Sequence, residues 1–192
     1  RSERLEKFRN TVLQMLVEGA TLEQILEAIV LGIEGISPES LCSILLLDPR
    51  NGTLHKGAAP SLPDFYNQAI EGLHIGNGVG SCGTAAYLGE RVIVEDIQTH
   101  PYWEPFRSIT QQAGLRSCWS QPIKDTRQAV LGTFAIYRGH PGVPSVAEQE
   151  LIVQAATLAA LAIERRRNED ELTRYRDHLE DVVEERSREI QA

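Results

Sequence analysis

Gly76-Asn-Gly-Val-Gly-Ser-Cys-Gly-Thr-Ala-Ala86 places four glycines within eight residues. Glycines at that density mark backbone that most L side chains would not tolerate, so a loop is expected over 76–83, leading into a short helix over Thr84–Leu88. Such a loop can offer backbone N–H groups to an anion, or it can be tight-turn geometry alone. It is not a phosphate loop, because no Gly-Lys-Ser/Thr follows. Nor is it a dinucleotide fingerprint, because the preceding strand and βαβ context are missing. Cys82 stands near the start of that helix, where a thiolate is favoured. A nucleophile would also want a His, and the spacing of His74, His100 and His140 points none of them at it. Cys82 therefore also reads as a small buried packing group, as do Cys42 and Cys118 within apolar strands.

Working outward, Arg91–Val94 reads as a strand and Pro101–Ala113 as a mixed, partly helical segment. Adjacent Glu95 and Asp96 would point to opposite faces of a strand, so they are no catalytic carboxylate pair, and Asp96 is better placed to cap the next segment. Tyr102, Trp103, Phe106 and Trp119 put four of the eleven aromatics into 18 residues, enough to line a pocket or to fill a core. Arg116–Ile123 and Ala129–Tyr137 are strands joined by the polar turn Lys124–Gln128; the second sets Val130, Gly132, Phe134 and Ile136 against Leu131, Thr133, Ala135 and Tyr137. Upstream, Leu41–Asp48 and Thr53–Ala58 form a strand pair across an Asp-Pro-Arg-Asn-Gly turn, and Leu62–Leu73 reads as a helix. Residues 5–34 carry helical periodicity broken near Gly19; Thr21 and Gln24 make a capping-box pattern, and Gly35 and Pro38 stop the second helix. From Ser145, with Glu148 three residues on, one helix is expected to the end.

The charge is unevenly spread. The chain has 192 residues and a net charge of −8, yet 17 of its 46 charged residues lie in the last 29. An acidic chain lacks the basic footprint that holds a phosphate backbone, so no nucleic-acid partner is expected. Runs such as Ile44–Leu47 are far shorter than the ~20 residues of a bilayer span, so no direct membrane contact is expected. Three widely spaced cysteines fit a reducing, cytoplasmic setting. No HxH, CxxC or HExxH occurs, so no metal site is expected. In the charged tail, Leu158, Arg165, Leu172, Leu179 and Arg186 recur by seven, as do Leu161, Asn168, Tyr175, Val182 and Glu189. That a/d pattern, with Val183 and Ile190 offering a second register, predicts a coiled-coil homodimer using Leu158, Leu161, Leu172, Tyr175, Leu179 and Val182. So polar a helix outside a domain needs a partner for stability.

Taken in order, these segments resemble a GAF domain, the small-molecule sensor module of bacterial signalling proteins. The resemblance is carried by Gly78–Ala86, Arg91–Ile97, Pro101–Trp103, Gly114–Ile123, Val130–Tyr137 and Leu158–Arg165, from about Thr21 to Arg166. The tail Leu179–Ile190 resembles the linker before histidine-kinase or diguanylate-cyclase modules. The resemblance implies an α+β fold: an antiparallel sheet of five or six strands, flanking helices and a long projecting C-terminal helix. It divides the chain into a linker helix (1–20), a sensor domain (21–166) and a coiled-coil signalling linker (167–192), with an output domain beyond. The implied ligand pocket draws on Gly80, Ser81, Cys82, Thr84, Asp96, Trp103 and either Cys118 or Trp119, since alternation lets only one of the two face it.

The resemblance also separates sub-families. The Asn-Lys-x-x-x-Phe-Asp-x-x-Glu set of cyclic-nucleotide binders and the Cys-His dipeptide of bilin binders are missing. Cys82 matches the Gly-x-Gly-x-Cys-Gly-Thr-Ala run of free methionine sulfoxide reductases, but Ile97–Ser117 lacks their further cysteines. A haem would need an axial His, for which His74 and His100 stay open. The expected function is therefore non-catalytic sensing of a small ligand, whose identity and cofactor status the sequence does not assign. The alternatives are a thiol-based sulfoxide reductase and a ligand-free dimerisation module.

Overall fold

The computed structural model describes residues 2–192. Two helices come first, α1 (Ser2–Val17) and α2 (Leu22–Ile36). Thr21 caps α2 through a reciprocal box with Gln24, satisfying two backbone donors that a helix start leaves orphaned. Strands β1 (Leu41–Asp48) and β2 (Thr53–Ala58) follow, then α3 (Asp64–Ile70), β3 (Leu73–His74), α4 (Gly80–Leu88) and β4 (Val92–Val94). A 3-10 helix over Pro101–Phe106 runs into α5 (Arg107–Gln112), and β5 (Ser117–Lys124), β6 (Val130–Arg138) and α6 (Val146–Gln191) complete the chain.

The six strands form one antiparallel sheet in the order β3-β2-β1-β6-β5-β4. This is the α+β, GAF-like architecture expected. β3 was not expected, since two residues carry no alternation to read. Successive side chains leave a strand on opposite faces, and each face here builds its own core. On one face α1, α2 and the first half of α6 pack over Cys42, Ile44, Trp119, Phe134 and Ile136. On the other, α3, α4 and the 3-10 segment cover Leu45, Leu54, Val94, Cys118, Ala135 and Tyr137. One alternation fails. Ile123 pairs with Gly132 but Lys124 with Val130, so Leu131 is bulged out of register and joins the helical face beside Phe134.

α1 is more than a linker. Phe8 and Val12 are buried in the shared core, and the Phe8 ring lies where a Cβ on Gly32 would stand, 2.3 Å away. α6 has 46 residues and is about 69 Å long at ~1.5 Å per residue. An 18-residue stretch of it is apolar enough for a membrane span, but half of that stretch is buried within the body, which accounts for its apolarity. Leu158, assigned from the heptad spacing to a dimer seam, is 3% exposed in its own core and has no surface left to offer. Period-seven spacing is shared by a domain-facing stripe and a coiled-coil seam, and at Leu158 the stripe faces the domain. Arg165 likewise serves its own body: its guanidinium donates to the backbone carbonyls of Leu16 and Ala20, the latter at 2.8 Å. Leu161, Leu172, Tyr175 and Leu179 are exposed and Val182 is half-buried.

Candidate functional site

The glycine-rich stretch is shorter as a loop and longer as a helix than its composition implies. α4 already begins at Gly80, and Gly80–Gly83 make its first turn. Gly78 and Gly80 have positive φ, 88° and 56°, a conformation open to glycine at no steric cost. Gly80 also lies flat against the Trp103 indole, whose atoms would stand 3.5–3.7 Å from a Cβ there. Thr84 turns back to hold this geometry. Its Oγ1 accepts the N–H groups of Gly78 (3.1 Å) and Val79 (3.0 Å) and donates to the Gly80 carbonyl at 2.6 Å. Two of the loop's N–H groups, those of Gly78 and Val79, are therefore spent on Thr84. Thr84→Val keeps the shape and strands two donors, so it should cost about 1–3 kcal/mol; urea unfolding checks this, and a loss below the lower bound would show that water replaces the hydroxyl.

Beneath α4 lies a small cavity between the helix and the sheet. It is lined by Leu45, Tyr66, Ser81, Cys82, Trp103 and Tyr137, together with Ile70, Leu73, Val79, Gly80 and Phe106. Its volume is about 10 Å³, the room of one water molecule. The aromatic rings meet edge to face: Tyr66 on Tyr137 at 5.6 Å, Trp103 on Phe106 at 6.0 Å and Trp103 on Tyr137 at 6.3 Å. The two phenol oxygens share a hydrogen bond of 2.8 Å, and burial pushes both phenols well above their ordinary range, so they stay neutral. Ser81 is the polar pivot: it accepts from the Trp103 indole N–H at 3.0 Å and donates to the Cys118 carbonyl at 3.1 Å.

Of the residues singled out from the sequence, Gly80, Ser81, Cys82 and Trp103 line this cavity. Cys118 lies on the same side of the sheet, in the core with Cys82. Trp119 does not: it packs among the helices, donates its indole N–H to the Gly142 carbonyl at 2.9 Å and lies 4.9 Å under the Arg138 guanidinium. Alternation puts Cys118 on the cavity's side of the sheet, though not in the cavity's lining. Thr84 supports the wall without lining it. Asp96 stands apart, its carboxylate accepting from Gln98 N–H at 3.0 Å and pairing with Arg116 at 3.2 Å. It holds the turn at Gln98, while the cap of the 3-10 segment that follows is His100, not Asp96 as the sequence suggested. Neither His74, exposed on the edge strand, nor His100, whose Nδ1 accepts the Tyr102 N–H at 3.2 Å, lines the cavity.

Tyr66, Tyr137 and Leu45 are among the lining residues that sequence spacing did not bring forward. Tyr137 had a signal, because it shares the alternate face of β6 with Ala135. Tyr66 had none beyond its place in the helix before the loop.

The ordered sequence matches the GAF domain family over residues 19–164. Over 163 residues the chain is 40% identical to a methyl sulfide methyltransferase-associated sensor from Methanosarcina acetivorans, a match covering 85% of this chain and 16% of that protein. The fold is similar to the GAF domain of a phosphoenolpyruvate-protein phosphotransferase from Coxiella burnetii. That match has a TM-score of 0.73 and 19% identity, over 89% of this chain and 99% of that one. It is also similar to a free methionine-R-sulfoxide reductase from Neisseria meningitidis bound to its substrate, with a TM-score of 0.68 and 17% identity over 87% and 90% of the two chains.

Proposed function

Because this chain belongs to the GAF domain family, we propose that it is a regulatory, non-catalytic module of a cytoplasmic signalling protein. It senses a small ligand in the aromatic cavity under α4 and passes that state along dimeric helices to an output domain. The observation that carries this reading is the cavity itself: an apolar wall with a few convergent polar groups, walled on one side by β6. The name of the Methanosarcina relative, a sensor, agrees, although the chain spans only 16% of that protein's length. Since the cavity admits little more than one water-sized centre, a larger ligand has to open it. That opening is what would separate a bound from an unbound state of the helices, because a ligand with equal affinity for both shifts nothing.

Native mass spectrometry of the chain, purified without denaturation from the host of its origin, tests the sensing. A bound small molecule is expected in the wild type and its loss in Leu45→Phe, which puts a larger side chain into the cavity's lining. A wild type with no bound mass, and no ligand-dependent change in the helices, overturns the reading in favour of a ligand-free dimerisation module. Truncation after Arg166 should convert a dimer to a monomer in sedimentation velocity. A second reading rests on Cys82: a thiol-based reductase like the Neisseria protein would reduce free methionine sulfoxide, and Cys82→Ser would abolish that turnover. Turnover of that kind would displace the sensor reading.

A further inference from the structure

Two of the chain's three cysteines share one core where α4 packs on β5, outside the role given to the cavity. Cys118 and Ser120 are two residues apart on β5 and so face α4 together, while Trp119 between them faces away. α4 is fastened to that point of the strand twice. Ser81 donates to the carbonyl of Cys118 at 3.1 Å, and Ser120 donates to Sγ of Cys82 at 3.4 Å. Both cysteines are buried, at 5% and 0% exposure. A third hydroxyl, Thr133 Oγ1 on β6, is fully buried without any hydrogen-bond partner. It stands on the face of β6 that Ala135 and Tyr137 present to the core holding Cys82. A buried hydroxyl with no acceptor is costly, and a sulfur that gains negative charge would satisfy it.

The two thiols are unequal. The neighbouring Cys118 thiol, with Ser120, Thr133 and Tyr137, outweighs burial and lowers Cys82 to about 7. Burial, followed by Cys82 itself, pushes Cys118 well up. One sulfur is thus prepared to attack and the other to remain a protonated thiol beside it. Cys82 is also in the cavity wall, where the free space matches a water-sized molecule. Cys42, on the opposite face, has neither the partner nor the cavity.

We infer that Cys82 and Cys118 form a reversible thiol switch, oxidised to an intrachain disulfide by hydrogen peroxide that enters the cavity. The Cys82 thiolate attacks one peroxide oxygen; an S–O bond forms, the O–O bond breaks, and the departing hydroxide takes up the proton released when Cys82 ionised, leaving as water. Cys118 sulfur then attacks the sulfenic acid. The S–S bond forms, the S–O bond breaks, and the Cys118 proton leaves with the hydroxyl as a second water. Two thiols and one peroxide give one disulfide and two waters. A dithiol reductant reverses the sequence.

The test uses the whole chain and hydrogen peroxide, followed by alkylation under denaturing conditions and a non-reduced peptide map. The expected result is loss of two alkylatable thiols, a Cys82–Cys118 linked peptide, an unmodified Cys42, and full recovery with dithiothreitol. In Cys118→Ala, Cys82 should accumulate as a sulfenic acid captured by dimedone. Thr133→Val, which keeps the shape, should slow oxidation several-fold without changing the unfolding midpoint by a comparable factor. Cys42→Ala should change nothing. Retention of all three thiols in the folded wild type, or oxidation of Cys42 as fast as of the pair, overturns the inference.

Discussion

Arg138→Ala is expected to cost about 3–5 kcal/mol, one of the largest losses available to a single substitution in this chain, because it strands a buried carboxylate. Arg138 ends β6 with its side chain 13% exposed, and its partner Glu148, in the first turn of α6, is 11% exposed. The guanidinium pairs with Glu148, donates to Ser37 at 3.1 Å and to Ser40 at 3.4 Å, and covers the Trp119 ring. Glu148 meanwhile receives the Ser145 N–H at 3.0 Å as part of the helix cap. Without the arginine that cap has to carry an unpaired charge in the core, and the Trp119 face loses its cation. Urea unfolding at neutral pH measures the loss. A double substitution to Met and Leu should recover much of it, since a well-packed apolar pair of similar volume is often as stable as a buried ion pair. A single-variant loss below about 1 kcal/mol would mean that water reaches Glu148 and the pair is effectively a surface one.

The second large effect is expected at Gly132. It sits opposite Leu46 in the centre of the sheet. A Cβ there would lie 2.1 Å from the Leu45 carbonyl oxygen, 3.1 Å from its carbon and 3.2 Å from the Leu46 Cα. All three are backbone atoms of the central strand, so no side chain can rotate away. Gly132→Ala should cost about 3 kcal/mol or more, at or beyond the top of the overpacking range, and the melting temperature and soluble yield should fall together. Gly35→Ala is the matched control. That glycine ends up in α2 with open space around it, so alanine should be neutral or stabilising by up to about 1 kcal/mol. Equal behaviour of the two variants would refute the steric argument.

Different parts of this fold were legible to different degrees, for physical reasons. Helix starts at Thr21 and Ser145 were readable because a capping box is local: the cap and its partner are three residues apart. The strands β1, β2, β5 and β6 were readable from short apolar runs between turns. The bulge at Leu131 was not, because a bulge belongs to the pairing of two strands and leaves no mark in one. The start of α4 was hidden by its glycines, which composition assigns to a loop. Their reason is local backbone geometry: Gly80 has a positive φ of 56°, and a Cβ on Gly83 would be 2.9 Å from Val79, four residues earlier. The cavity was half legible. Ser81, Cys82 and Trp103 stood in recognisable motifs, whereas Tyr66 meets Tyr137 across 71 positions of sequence. Asp96 failed for the opposite reason, since a motif residue can be claimed by its nearest neighbours. The tail's heptads were visible, but not the point at which their apolar positions stop serving the body.

That point of departure is marked by Arg165 and Arg167: the first donates to the carbonyls of Leu16 and Ala20, the second to that of Leu47 at 3.3 Å. From Arg167 to Gln191 the helix runs about 36 Å at ~1.5 Å per residue. Arg167 therefore stands where a fulcrum would. A shift of the sheet that tilted α6 about it by roughly 10° would carry the far tip about 6 Å, more than one helical turn of ~5.4 Å. A displacement too small to disturb the packed core at one end is thus a change of a full turn's reach at the other.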